Sequence, residues 1–335
     1  TTGTYYLWTR VYDNAGNRAT KGKVSSEFFV GTMAITITPS TTAWTNQNVI
    51  ATVKYPDATV SNTRKAGFGT TLESAKTAAN SSTAPATSVT ASQNGYIYAT
   101  ATDVSGNVLT MTRQISNIDK TGPVISEITN SSNQNWTNQA IKLSWTITEN
   151  GGSGISEVRF GRDGINWIDK LAQNEWYGFT RNYERNDAIY LQVIDKAGNK
   201  SNIVSTKMKT DLTEPQVTIS PNGGSYAAPS AGSMATIKTT LTASDTGGSG
   251  LKTLEYAWST SNTTEPTTYT TFTNGATVSK TDCTTGKYYL WTRVYDNAGN
   301  RATTGKVSAG FVVGAKTIII TPNTTAWTNQ NVTAT

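Results

Sequence analysis

Apolar and polar residues alternate along this chain with a period of two. In Tyr5–Asp13, Leu7, Thr9 and Val11 form one face and Tyr6, Trp8 and Arg10 the other. The same phase returns in Ile97, Ala99 and Ala101 opposite Tyr96, Tyr98 and Thr100. It returns again in Ile189, Leu191 and Val193 opposite Tyr190 and Gln192. A period of two with one apolar face is the pattern of a half-buried antiparallel strand. Each of these strands runs into the sequence D-x-[AS]-G-N, at Asp13, Asp103, Asp195 and Asp296. There the Asp side chain bonds nearby backbone and the Gly supplies a positive φ, so the chain reverses into a hairpin. A further alternating run follows each turn, such as Val108, Thr110 and Thr112.

Other elements recur in fixed order. D-x-T-x-P appears at Asp119–Pro123 and Asp211–Pro215, and reads as a stiff connector feeding a first strand, because Pro fixes φ and extends its predecessor. W-T-N-Q at Trp44, Trp136 and Trp327 precedes a second strand, and its Trp is expected to plug one end of the fold. Glycine-rich corners lie at Glu149–Ile155 and Asp245–Leu251. No long segment keeps helical periodicity. The least regular stretch, Lys65 to Asn80, fits one short turn of helix.

The chain also repeats itself over a longer distance. Residues 1–52 match residues 284–335 at a constant offset, with 41 of 52 positions identical. Successive D-x-[AS]-G-N turns are 90, 92 and 101 residues apart. Units of this size are whole domains in an array rather than solenoid repeats of roughly 20–50 residues. The expected division is 34–118, 119–210 and 211–314 as full modules. Residues 1–33 would be the closing strands of one cut module, and residues 315–335, with the apolar run Ile318 to Ile320, the opening strands of another. About seven short strands per module predict an all-β fold of tandem two-sheet sandwiches joined by short linkers.

Composition narrows the function. The 335 residues include 28 Lys plus Arg, 22 Asp plus Glu, one Cys and no His. Without His, the Ser-His-Asp and Cys-His constellations and every His-ligated metal site are excluded. Cys283 has no partner for a disulfide and is expected in a polar, Thr-rich loop, where an exposed thiol would be reactive. Asp163, Asp169, Glu175 and Glu184 show no spacing that specifies an acid–base pair. The net charge of +6 is scattered, with no basic run, so nucleic acid is not an expected partner. No apolar stretch approaches the ~20 residues of a membrane-spanning helix.

The combination of D-x-T-x-P, W-T-N-Q, D-x-G-G-S-G-[LI] and Y-x-L-x-x-x-V-x-D-x-A-G-N resembles the bacterial immunoglobulin-like domain repeats of extracellular and cell-surface proteins. The resemblance spans the chain, although residues 34–118 lack both D-x-T-x-P and the G-G-S-G corner. It implies immunoglobulin-like sandwiches acting as the non-catalytic stalk or shaft of an adhesin or surface fibre. The expected location is extracellular, and the expected partners are neighbouring modules or chains. It also implies calcium at module junctions, which maps to Asp103 with Asp119 and to Asp195 with Asp211, with Glu149 and Asp245 as further donors. Trp8, Tyr98, Tyr190 and Trp291, on the outward phase of their strands, are candidates for stacking on a host or surface glycan or protein. A self-assembling filament subunit is the remaining alternative.

Overall fold

The computed structural model describes residues 3–22, 24, 25, 28–30, 33–227, 233–314, 322, 323, 325–328, 330, 331 and 333. Strands predominate, and the expected opening run Ile318 to Ile320 lies outside the described residues. Three separate hydrophobic cores form, drawn from residues 35–118, 125–208 and 217–313. Each is closed by two layers of mainly antiparallel strands, with one parallel pair, Gly224–Ala227 beside Phe311–Gly314, in the third.

In the first sandwich, Thr36–Pro39, Val49–Lys54 and Ser88–Ala91 form one sheet, and Lys65–Gly69, Gly95–Thr102 and Val108–Ile115 the other. The alternation predicted for Gly95–Thr102 is present, with Ile97, Ala99 and Ala101 at 0–1% exposure facing Val49, Ala51 and Val53. The second sandwich packs Thr129–Asn130, Ile141–Ser144 and Gly178–Arg181 against a four-stranded sheet centred on Ile155–Gly161 and Arg185–Asp195. The third faces Gln216–Ser220, Ala235–Ser244 and Thr277–Cys283 toward a five-stranded sheet centred on Leu251–Ser259 and Gly286–Asp296. The chain is thus an array of immunoglobulin-like β-sandwiches. Among the described residues, no helix is long and apolar enough to cross a membrane.

The hairpin turns follow the chemistry read from their sequence. Gly16, Gly106, Gly198 and Gly299 have φ of 84° to 99°. At Asp13, Oδ1 accepts the amides of Ala15 and Asn17, and Oδ2 accepts the Asn17 side-chain amide at 2.9 Å. Asp103 repeats this with Ser105 and Asn107.

Three expectations need correction. Lys65 to Asn80 is not irregular: it holds the strand Lys65–Gly69 and a nine-residue helix, Leu72–Asn80. Thr71 caps this helix, accepting from the Ser74 amide while the Ser74 hydroxyl accepts from the Thr71 amide. Ala75 and Ala79, both at 0% exposure, bury its inner face. Small residues on that face gave no apolar stripe to see. Thr71→Ala is expected to cost the first sandwich about 1 kcal/mol, read as a shift in its urea midpoint, with Thr70→Ala showing no such shift.

Cys283 lies in a strand rather than a loop, at 0% exposure in the third core. Burial pushes its thiol upward, away from reactivity. Trp291, expected to point outward, does leave the inner face, yet it is only 4% exposed. The loop after Leu251–Ser259 folds over it, so that its Nε1 donates to the Ser261 carbonyl at 2.8 Å.

That covering loop is held by a charge cluster. Glu265 pairs with Arg301 and with Lys306 at 3.0 Å, and accepts from the Tyr269 hydroxyl at 3.0 Å. The Arg301 hydrogen bond, ahead of those from Lys306 and Tyr269, pulls its carboxyl from the usual 4.5 down to about 2. A depressed folded-state pKa stabilises fully above the unfolded value and is lost on acidification. The third sandwich should therefore lose stability as pH falls from about 4.5 toward 2. Glu265→Gln should flatten that part of the profile in urea melts taken across the range; an unchanged profile would remove Glu265 as its cause.

Candidate cation sites at the joints

The same joint is built twice. At the first, Asp119 leads out of one sandwich into the next. Thr45 of the W-T-N-Q loop bridges Ile118 in parallel, its amide donating to the Asn117 carbonyl at 2.9 Å and its carbonyl accepting the Asp119 amide at 2.9 Å. The Asn46 amide then crosses to the next sandwich and donates to the Ala197 carbonyl at 3.2 Å. In return, the Asn199 side-chain amide donates to the Asp119 carbonyl at 2.9 Å. At the second joint Thr137 bridges Thr210, Asn138 donates to the Ala298 carbonyl at 3.1 Å, and Asn300 donates to the Asp211 carbonyl at 2.9 Å. W-T-N-Q of one sandwich therefore grips the D-x-A-G-N turn of the following one. Trp44 and Trp136 are half-buried at these ends, whereas Trp327 is fully exposed.

Each joint gathers three acids. Asp119, Glu149 and Asp195 form one cluster and Asp211, Asp245 and Asp296 the other, with one carboxylate oxygen from each residue within 4.8 Å of those of the other two. They come from the connector, the glycine corner and the hairpin turn. The corner approaches so closely because Gly151 and Gly247 have no Cβ: one added at either position would overlap the Asp119 or Asp211 carboxylate.

Backbone amides organise the acids. Asp119 accepts from Thr121 at 2.9 Å and Ser153 at 3.1 Å, and Asp211 from Thr213 at 3.0 Å and Ser249 at 2.9 Å. Burial opposes charge at Asp119, but the hydrogen bonds from Ser153 and Thr121 outweigh it and hold the carboxyl below its usual range. Glu149 Oε2 and Ser249 Oγ are buried with no hydrogen-bond partner.

Two like charges about 4 Å apart repel by about 4 kcal/mol at an effective dielectric of about 20. Among the described residues, no Lys or Arg forms an ion pair with either cluster. The donor set is all oxygen, carries up to three negative charges and includes unpartnered oxygens. It suits a hard divalent cation that takes six to eight oxygens, as calcium does.

The sequence-based pairing of acids differs from this arrangement. Asp119 meets Asp195 rather than Asp103, and Asp211 meets Asp296 rather than Asp195. The last hairpin of a sandwich returns its turn to the end where that sandwich's own connector enters, so the pair belongs to one module. Asp103 falls in neither cluster, and the Asn107 side-chain amide is the main influence holding its carboxyl low. The Asp296 role was legible from its D-x-A-G-N motif once the return of the hairpin is known. The cross-joint amides of Asn46 and Asn138 had no sequence signal beyond repetition of W-T-N-Q.

The four aromatic candidates do not form one surface type. Trp8 is 66% exposed, Tyr98 and Tyr190 are half-buried, and Trp291 is covered.

No protein-family description matches the chain. Over 298 residues it is 30% identical to Exoglucanase B of Cellulomonas fimi, covering 84% of this chain and 25% of that protein. The chain thus spans about a quarter of the length of the curated relative it matches. Among solved structures, three N-terminal domains of the outer capsid protein Hoc of bacteriophage RB49 align at 11% identity and a TM-score of 0.36, over 85% of this chain and all of that one. A 1.5-MDa bacterial ice-binding adhesin aligns at 14% identity and a TM-score of 0.30, over 85% of this chain and 99% of that one.

Proposed function

We propose that the chain is a non-catalytic spacer of an extracellular bacterial protein, a stalk that holds another domain at a distance. The reading assigns 34–118, 119–210 and 211–314 to three modules, and gives the Asp119 and Asp211 joints a bound calcium. The observation that carries it is the joint built twice from the same motifs, which fixes one sandwich on the next. A bound cation would supply only charge neutralisation and crosslinking: it would tie connector, corner and turn together through Asp119, Glu149 and Asp195, and through Asp211, Asp245 and Asp296. The partial match to a much longer exoglucanase supports a role beside a separate functional domain.

Small-angle X-ray scattering in calcium should give an extended particle whose maximum dimension does not change with protein concentration. A compact particle would overturn the spacer reading, and growth with concentration would favour a filament subunit.

A further inference from the structure

The two acid clusters are built from the same parts, yet their oxygens are not equally satisfied. At the second joint all six carboxylate oxygens have a donor. Asp211 takes the Thr213 and Ser249 amides, and Asp245 those of Gly247 at 3.1 Å and Gly250 at 2.6 Å. Asp296 takes the Gly299 and Asn300 amides on Oδ1 and the Asn300 side chain on Oδ2. At the first joint Asp119 is served by Thr121 and Ser153, and Asp195 by the backbone and side-chain amides of Asn199. Glu149 Oε1 accepts from the Gly151 amide at 2.7 Å, but its Oε2 is buried without a partner.

The cause lies in one methylene group. Asp245 is short enough to lie back on its own corner, where the amides two and five residues on take both of its oxygens. Glu149 is longer, and the Gly154 amide, counterpart of that of Gly250, does not meet it. The Ser153 and Ser249 hydroxyls, in residues 3% and 8% exposed, lack a partner at both joints, so the difference rests on the corner acid. A buried anionic oxygen with no donor is costly, and a cation relieves that cost.

The connectors differ in the same sense. In the second, Glu184 of the preceding sandwich accepts the Leu212 amide at 2.9 Å and the Thr213 hydroxyl at 2.7 Å. Forward of it, Thr303 of the following sandwich donates to Glu214 at 2.6 Å. That connector is held by side chains from both sides without an ion. In the first, Asn94 accepts the Ile118 amide at 2.8 Å and Lys120 donates to Asn48 at 2.7 Å, and both ties run back to the preceding sandwich.

We infer that calcium governs the two joints unequally: the first takes the ion more tightly and needs it to hold its geometry, whereas the second is set without it. The inference rests on the cation reading above and adds its order. As calcium rises, the Asp119 joint fills first, about tenfold more tightly, and stiffens the array between the first two sandwiches.

Nitroxide pairs in the full chain, in a Cys283→Ala background, report each joint: Thr90→Cys with Ile168→Cys for the first, and Ile168→Cys with Thr242→Cys for the second, all at exposed positions. In calcium, electron–electron resonance should give two narrow distance distributions. Chelator should broaden the first by roughly twofold or more, as loosely joined domains allow, and leave the second unchanged. In calorimetry Glu149→Asp, which gives the first corner the acid of the second, should bring the tighter site down to the affinity of the weaker. Distributions that broaden together, or two sites of equal affinity in the parent chain, would overturn the inequality and leave the cation reading standing. No uptake of calcium, with both distributions indifferent to chelator, would remove the cation reading and the inequality with it.

Discussion

Leu290→Ala is expected to destabilise the third sandwich by about 3 kcal/mol, while Leu7→Ala changes little. The two leucines sit in the same sequence, Tyr-Tyr-Leu-Trp-Thr-Arg. Leu290 is at 0% exposure, packed in a core with Val294 and Phe311, and truncating it leaves a cavity that the rigid surround fills only in part. Leu7 is 59% exposed, so its truncation removes few contacts. The contrast separates what the local sequence dictates from what the opposite sheet supplies. Hydrogen-exchange protection of the amides in Gly286–Asp296 reads the first effect directly, since global opening of this sandwich limits their exchange. A loss below about 1 kcal/mol at Leu290 would mean that these strands do not close the core described.

The second large effect concerns the corner at the joint. Gly247→Ala places a methyl group onto the Asp211 carboxylate, so the corner or the connector must move. Movement breaks the Ser249 amide bond to Asp211 and strips the carboxylate of one of its two amide donors. The combined clash and lost charge-assisted hydrogen bond should cost about 3 kcal/mol. The loss should be confined to the third sandwich and its joint, leaving the first sandwich unchanged. Thr246→Ala, at the exposed neighbouring position, serves as the control and should be silent in the same melts. Equal melting of the two variants would show that the close approach is not needed.

The fold was legible because its signals are local. Alternation in Gly95–Thr102 and Arg185–Asp195, and the Asp–Gly–Asn turns that end them, state strand and reversal within about a dozen residues. The helix Leu72–Asn80 escaped because it buries alanines, whose small side chains mark no stripe. The covering of Trp291 escaped for another reason: alternation gives the face of a strand but not the loop that crosses it. The acid clusters were half legible. Connector, corner and turn each announced a carboxylate, but which turn returns to which connector is a property of the closed hairpin, and sequence adjacency favoured the wrong neighbour for Asp119.

Calcium titrated into the chelator-stripped chain and followed by calorimetry tests the proposed cation sites at the joints most directly. The account predicts two sites, one removed by Asp119→Ala and the other by Asp211→Ala, and no site that depends on Asp103. A chain that takes up no calcium at millimolar concentration, or that keeps both sites after both substitutions, would contradict it.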